Sequence, residues 1–308
     1  IKILYGGTTM ISAASIKSRL KNIAIKENST MQNELVTYAL ERTIYRMSIS
    51  KYSDNFTLKG GIFLYALFNR QYPRATMDID FLANKIANDS EFMKEVFTEI
   101  FLIQCDDALY FDLSSLKVEN ITEFKEYHGV NVSILALLEK TKIPVSIDIG
   151  FGDIVYPDRI KMDFPVLLDM EIPSVNAYSI YSAIAEKFEA IVSLGRYNSR
   201  YKDFYDIYAI SQKHTLNGSD LYNALVETFN HRNTSFNNIV AFSDDFISDP
   251  SLDKKWESFK KKKQVNQDID FKTVITHNMK LLLPVVDAIL NEQTFKKKWN
   301  ATLKDWED

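Results

Sequence analysis

Cysteine is almost absent: Cys105 is the single one in 308 residues, so no intramolecular disulfide can form. The four histidines, His128, His214, His231 and His277, never fall at zinc-ligand spacing, which argues against a structural zinc site. Long apolar runs are lacking as well. None reaches the roughly 18 residues of a membrane span, and the longest candidate, Leu281–Val286, is interrupted by Pro284. Residues Ile1–Gly7 carry no basic-then-apolar leader pattern; Met10 is read as the natural start and residues 1–9 are set aside. Nor does one charge sign dominate. With 37 basic and 41 acidic residues the net charge is −4, against a protein coated with nucleic acid, although a local basic surface fits inside an acidic total. What is present, 46% apolar and 25% charged residues, is ample for a core and suggests one large or two modest domains in a cytoplasmic bacterial protein with no membrane attachment.

Periodicity organises the chain. Residues 29–49 predict a helix, with Ser29 and Gln32 as a capping-box pair and Leu35, Val36, Ala39, Leu40, Ile44 and Met47 on one face. A short apolar stretch, Phe56–Gly61, ends in Lys59-Gly60-Gly61 and leads into a buried helix over Ile62–Arg70. Thr76–Leu82 alternates as a strand, with Met77, Ile79 and Phe81 on one face and Asp78 and Asp80 on the other. A helix over Ser90–Phe101, a mixed β region over Asp112–Ser133 and a strand over Val145–Gly150 follow. From Ser174 onward helical periods dominate, at 177–194, 200–213, 219–230, 251–262 and 278–299. The expected fold is α+β, a mixed sheet flanked by helices over residues 10–165 and a helical domain over 166–308, joined by the Pro-rich interval 157–173.

The carboxylates carry the chemistry. Asp78 and Asp80 leave one strand face about 6–7 Å apart, and like charges that close call for a cation between them. Mg²⁺ prefers oxygen ligands, usually one or two carboxylates plus substrate phosphates. Asp148, on the polar face of the second strand, supplies the third acid of a two-ion phosphoryl-transfer site. An acidic pair on a solvated strand edge is the plainer explanation of a bare Asp-x-Asp. Upstream, Gly60 and Gly61 open a helix whose backbone N–H groups suit a triphosphate, although a Gly-Gly is equally a turn. Arg74 and Thr76 place a cation and a hydroxyl just before the pair, or else serve the turn. In the helix over 177–194, Lys187 lies inside the stripe of Ile180, Ile184 and Ile191, where an ammonium needs a polar cleft or an acid. Asp203 lies on the Ile207/Ile210 face of the next helix with Asp206 one turn on. Two readings stand: a Lys187–Asp203 bridge joining two helices, or Lys187 on NTP phosphates with Asp203 orienting it or the acceptor.

Four segments in fixed order, Leu58-Lys59-Gly60-Gly61, Arg74-Ala75-Thr76-Met77-Asp78-Ile79-Asp80-Phe81, Ile147-Asp148-Ile149, and Ala185-Glu186-Lys187-Phe188-Glu189-Ala190 followed by Arg200-Tyr201-Lys202-Asp203-Phe204-Tyr205-Asp206-Ile207, resemble the AbiEii/MenT nucleotidyltransferase family. Tyr38-Ala39-Leu40-Glu41-Arg42 is similar to that family's amino-terminal helix, so the likeness runs from about residue 15 to 215. The resemblance implies a DNA-polymerase-β-like nucleotidyltransferase core with a helical carboxy-terminal domain, acting as the toxin of a type IV toxin–antitoxin or abortive-infection (phage-defence) pair. It implies transfer of a nucleoside monophosphate from an NTP to an RNA acceptor, the tRNA 3′ end, blocking translation. Mg²⁺ is the implied cofactor, with Mn²⁺ as a substitute and an AbiEi-like or other antitoxin as partner. Carried over, Asp78, Asp80 and Asp148 match the metal ligands, Lys187 and Asp203 the remaining catalytic positions, and Lys59, Gly60, Gly61, Arg74, Thr76 and Asp206 the NTP-binding set. Thr76 stands where relatives usually have serine; the hydroxyl is kept, so an antitoxin that modified it would still find a target.

Lys260–Lys263 and Lys296–Lys298 are basic runs flanked by Trp256, Phe259, Phe295 and Trp299, a mixture that suits RNA phosphates with stacked bases, or simply solvated helix faces. Two other classes compete with the transferase: an NTP-binding module that docks a partner without turnover, and a glycosyltransferase using Asp-x-Asp with a nucleotide sugar. The second leaves Lys187 and the Lys-Asp-x-x-Asp helix unexplained.

Overall fold

The computed structural model describes residues 11–122, 128–265 and 268–308. The expected start at Met10 lies outside them, as does the middle of the β region expected over Asp112–Ser133. The chain divides into two compact units, one made of Ile1–Arg70, Thr76–Gly152 and Lys161–Ala177, the other of Gln71–Ala75, Asp153–Ile160 and Tyr178–Asp308.

The first unit is built on a seven-stranded mixed sheet. In chain order its elements are α1 (Ala13–Lys26), α2 (Met31–Ile49), β1 (Phe56–Lys59), α3 (Gly60–Leu67), β2 (Ile79–Ala83), α4 (Ser90–Phe101), β3 (Tyr110–Thr122), β4 (His128–Leu138), β5 (Thr141–Phe151), β6 (Ile160–Asp163) and β7 (Ser174–Ala177). The strand order is β3-β4-β5-β2-β1-β7-β6, with β2/β5 and β1/β7 parallel and β1/β2, β4/β5 and β3/β4 antiparallel. Alternation decides the faces. Val145, Ile147 and Ile149 of β5 are buried while Ser146 and Asp148 are only partly covered, so β5 presents one apolar and one polar side. The α4 helix lies where its periodicity placed it, capped by Asp89, which accepts the Phe92 N–H at 2.7 Å. The α2 cap is corrected: Thr30, not Ser29, accepts the N–H three residues on, from Asn33 at 3.1 Å.

Helix α2 buries charge as well as aliphatic bulk. Arg42 and Arg46 converge on Asp107, with Nε of Arg42 at 3.1 Å and Nη2 of Arg46 at 3.0 Å, so the aspartate is matched by fixed guanidinium forks. Glu41 has no such cation bonded to it. Its Oε2 accepts the Leu167 N–H at 2.7 Å, its Oε1 has no hydrogen-bond partner among the described residues, and burial pushes its pKa up to about 7. An acid with a raised folded pKa takes up its proton on folding. Unfolding free energy should therefore fall as pH rises from 4.5 to about 7, by up to ~1.4 kcal/mol per unit, and Glu41→Gln should remove that slope in urea melts at pH 5 and pH 8.

The second unit is mostly helical: α5 (Ile180–Leu194), α6 (Tyr201–Lys213), β8 (Leu216–Asn217), α7 (Gly218–His231), α8 (Asp244–Ile247), α9 (Ser251–Lys263), α10 (Phe271–Leu290), β9 (Lys298–Asn300) and β10 (Asp305–Glu307). Ser179 caps α5 by accepting the Ser182 N–H at 3.0 Å, and α5 packs on α6 and α7 while α10 packs on α6 and α7. Three expectations are corrected here. The last long helix runs over Phe271–Leu290 rather than 278–299, because Asp270 caps it (Thr273 N–H, 2.6 Å) and Trp299 enters the small sheet β10-β9-β8. Pro284 does not interrupt it: the ring sits at an exposed position, as does Lys280 four residues back, away from the buried stripe. By length and composition α10 would suffice to cross a bilayer, yet Val274, Ile275, Leu281, Leu282, Val285 and Val286 are buried in this unit's core.

Three of the four aromatic flanks of the basic runs, Trp256, Phe295 and Trp299, are core as well. Trp256 (1% exposed) donates Nε1–H to the Ile269 carbonyl at 2.7 Å and stacks on Phe259 and Phe271, while Trp299 (0%) donates to the Ser211 carbonyl at 2.8 Å. These rings are therefore withdrawn from any base-stacking role, and Lys261, Lys262 and Lys296–Lys298 remain as exposed side chains.

Candidate active site

Four strands of the first unit set a polar row across the sheet. The registers place Asn131 of β4 opposite Asp148 of β5, Asp148 opposite Asp80 of β2, and Asp80 opposite Lys59 of β1. Directly opposed residues share a face. Their sequence neighbours, Val130 and Val132, Ile147 and Ile149, Ile79 and Phe81, and Leu58, point the other way into the core. Apolar alternation in four strands is thus what aims this row outward.

Asp78 joins from outside the ladder. The strand begins at Ile79, not Thr76, and Met77, expected inward, is 42% exposed. A bend brings Asp78 back, and its Oδ1 accepts from the Thr76 hydroxyl and the Met77 N–H, each at 3.3 Å. One carboxylate oxygen from each of Asp78, Asp80 and Asp148 lies within 4.8 Å of the others, all three partly buried. Three anions this close repel, and an all-oxygen donor set of this span fits a hard divalent cation such as Mg²⁺ or Mn²⁺.

Glycine shapes the same site. Gly60, first residue of α3, adopts φ +66°, and a Cβ there would stand 1.9 Å from Oδ2 of Asp80. The Asp80 carboxylate thus lies against a backbone that tolerates no side chain. Lys59 precedes it as the helix cap without a side-chain capping bond, and Gly61 follows, buried, in the first turn.

Asn131 went unnoticed in the sequence, where a lone asparagine on an alternating strand carries no signal. Its Nδ2 donates to Oδ1 of Asp148 at 2.6 Å and to Oγ of Ser146 at 3.0 Å, fixing the rotamer of the third acid. Such an outer partner orients a ligand. Asn131→Ala should weaken divalent-ion affinity about 10–100-fold by calorimetry with the fold unchanged; unaltered affinity would remove Asn131 from this role.

The second unit brings together the other predicted residues. Lys187, 9% exposed, reaches Oδ1 of Asp203 at 3.3 Å and Oδ2 of Asp206 at 2.6 Å. The bridge anticipated between two helices is present and extends further. Arg74 grips Asp206 through Nε at 2.6 Å and Nη2 at 2.7 Å, the Tyr72 hydroxyl donates to the same carboxylate, and Arg200 Nε meets Asp203 at 2.6 Å. Burial alone would raise the Asp206 pKa; Arg74 and then Lys187 reverse this and hold the carboxyl well below the usual carboxylate range. Burial would likewise discharge Lys187, but Asp206 and Asp203 outweigh it and keep the ammonium protonated. Three cations against two carboxylates leave one positive charge over, with Arg200 (side chain 44% exposed) at the open end.

The family match agrees with this chemistry. A mixed sheet that presents three convergent carboxylates, with a glycine-led helix beside them, could hold a divalent ion where phosphates are handled. Residues 42–296 match the family described as "Nucleotidyl transferase AbiEii toxin, Type IV TA system". The chain belongs to that family and is a nucleotidyltransferase. Among solved structures it is similar to JHP933 from Helicobacter pylori (15% identity, 82% of this chain and 91% of that one, TM-score 0.46). A second H. pylori chain, solved as a candidate nucleotidyltransferase, aligns at 15% identity over 85% of this chain and 97% of that one, with a TM-score of 0.48. No curated protein matches.

Proposed function

We propose that Asp78, Asp80 and Asp148 hold two Mg²⁺ ions and that the chain transfers a nucleoside monophosphate from an NTP to an RNA acceptor, the tRNA 3′ end, so that translation stops. The meeting of three carboxylates from β2, its approach and β5 is the observation that carries this reading. When bound, the ions lower the pKa of the attacking hydroxyl and neutralise charge on the triphosphate and the departing pyrophosphate. The protein's part is placement. Asn131 and Thr76 orient two of the acids, and the Gly60-Gly61 turn offers backbone N–H groups to phosphate oxygens. On the family pattern we assign Lys187 to the NTP phosphates and Asp203 to orienting it. Asp206, fully buried and claimed by Tyr72, Arg74 and Lys187, serves as a positioning residue rather than a direct NTP contact, and Arg74 is committed to it.

The family brings a cognate antitoxin as partner; we infer that the pair acts in the bacterial cytoplasm as a phage-defence device. Incubating the protein with each labelled NTP, Mg²⁺ and total RNA tests the reading. Label transferred to RNA, concentrated in the tRNA band, is the expected result. NTP that binds but is never cleaved would overturn it in favour of a docking module without turnover.

A further inference from the structure

The turn joining α5 to α6, Gly195-Arg196-Tyr197-Asn198-Ser199-Arg200, holds two arginines and no acid. Tyr197 at its apex is 94% exposed, the most exposed of the chain's large apolar side chains among the described residues. Nothing in the fold calls for this. The turn is nonetheless shaped: Gly195 takes φ +50°, the Arg200 N–H donates to Oδ1 of Asn198 at 2.7 Å, and Asn198 itself is buried. A buried asparagine thus anchors a loop that raises an aromatic ring into solvent, with Arg196 beside it in sequence and Arg200 three residues on.

The turn's own charge is positive. Arg200 is bonded to Asp203, which also faces Lys187, so the surplus cation of the buried network emerges at this loop. Lys254 and Lys255 at the start of α9 are exposed, and one acid, Asp249, lies in the field of Lys255 and Arg196 and offsets part of their charge. An aromatic face flanked by arginines suits a base that stacks and phosphates on either side, a recognition that tolerates any sequence. A protein partner would instead favour an apolar surround sealing the tyrosine from water, whereas among its exposed sequence neighbours the polar Ser193, Arg196, Ser199 and Arg200 outnumber Leu194.

We infer that this turn is the grip for a single-stranded RNA end, with Tyr197 stacking on a base and Arg196 and Arg200 holding the adjacent phosphates. The inference rests on the RNA-acceptor reading above and names the part of the helical unit that receives the acceptor. It also separates two tasks: acids at the sheet and glycines at the start of α3 for the NTP, an aromatic and arginines on the turn for the RNA.

The test measures affinity of the intact protein for a short fluorescein-labelled single-stranded RNA of mixed sequence, by anisotropy across a salt series. Tyr197→Ala should weaken binding about tenfold or more, while Tyr197→Phe, which keeps the ring, stays close to wild type. Arg196→Gln should lower the slope of log affinity against log salt by roughly 0.7, the value for one phosphate contact on a single strand. Tyr197→Trp should gain fluorescence that the RNA quenches. Protection of each variant by NTP and Mg²⁺ against thermal unfolding should match wild type, since neither Tyr197 nor Arg196 is assigned to the NTP or the metal. If the wild-type protein labels RNA yet Tyr197→Ala and Arg196→Gln bind it unchanged, the turn is not the grip and the acceptor reading survives; escape of those variants from the antitoxin, with RNA affinity intact, likewise overturns the inference and makes the turn a protein contact. If the wild-type protein labels no RNA at all, both fall.

Discussion

Asp148→Asn should lower nucleotidyl transfer at least roughly a thousandfold while the protein stays folded, and Asp80→Asn should do the same. Asparagine preserves the shape of the side chain and removes only the charge. Without a divalent ion the wild-type site confines three carboxylates within 4.8 Å of each other. Their repulsion is of the order of 1 kcal/mol or more per pair, so each variant should melt at the same or a higher temperature than wild type in EDTA. With MgCl₂ the order reverses: wild type gains stability by mass action, and the variants gain little. Loss of activity alone would not discriminate, because a damaged fold gives that too. The pairing of a stable apo protein with a missing Mg²⁺ response is diagnostic, and an undiminished Mg²⁺-dependent shift in both variants would remove the acids from the metal site.

How much of this could be read from the sequence depended on whether a residue's neighbours were close along the chain. The strand around Asp148 and the helix over Ser90–Phe101 were legible because their periods are long and regular. Convergence of Asp148 with Asp80 was an inference from two polar faces, whereas the directly opposed register is a property of the folded sheet. Asn131 was invisible since its role exists only once β4 pairs with β5. The same reason hid the complete ring of donors on Asp206, two of which, Tyr72 and Arg74, come from more than 130 positions away. The basic runs stayed open between two readings for a different cause: tryptophan beside lysine looks alike whether the ring faces solvent or core, and here Trp256 and Trp299 turn inward while Lys261, Lys262 and Lys296–Lys298 stay out. Pro284 misled because a proline on the wet side of a helix removes one hydrogen bond without disturbing the buried stripe.

Gly60→Ala should be nearly as damaging as losing an acid, though alanine adds a single methyl group. That methyl would stand 1.9 Å from Oδ2, 2.4 Å from Cγ and 2.8 Å from Cβ of Asp80, and at φ +66° it is strained before any contact is counted. The stiff backbone at the β1–α3 junction cannot yield, because Leu58 and Lys59 are paired to Phe81 and Asp80. The carboxylate must rotate away instead, so transfer should fall about a hundredfold or more and the Mg²⁺-dependent rise in melting temperature should shrink, at a stability cost of roughly 1–3 kcal/mol. A double-mutant cycle separates the clash from the backbone strain. In an Asp80→Ala background the two closest atoms are gone, so adding Gly60→Ala should cost less stability than it does in wild type, by roughly 0.5–3 kcal/mol of coupling. Equal costs in the two backgrounds, with normal Mg²⁺ binding by the single Gly60→Ala variant, would mean that Asp80 moves aside freely and that the glycine serves the turn alone.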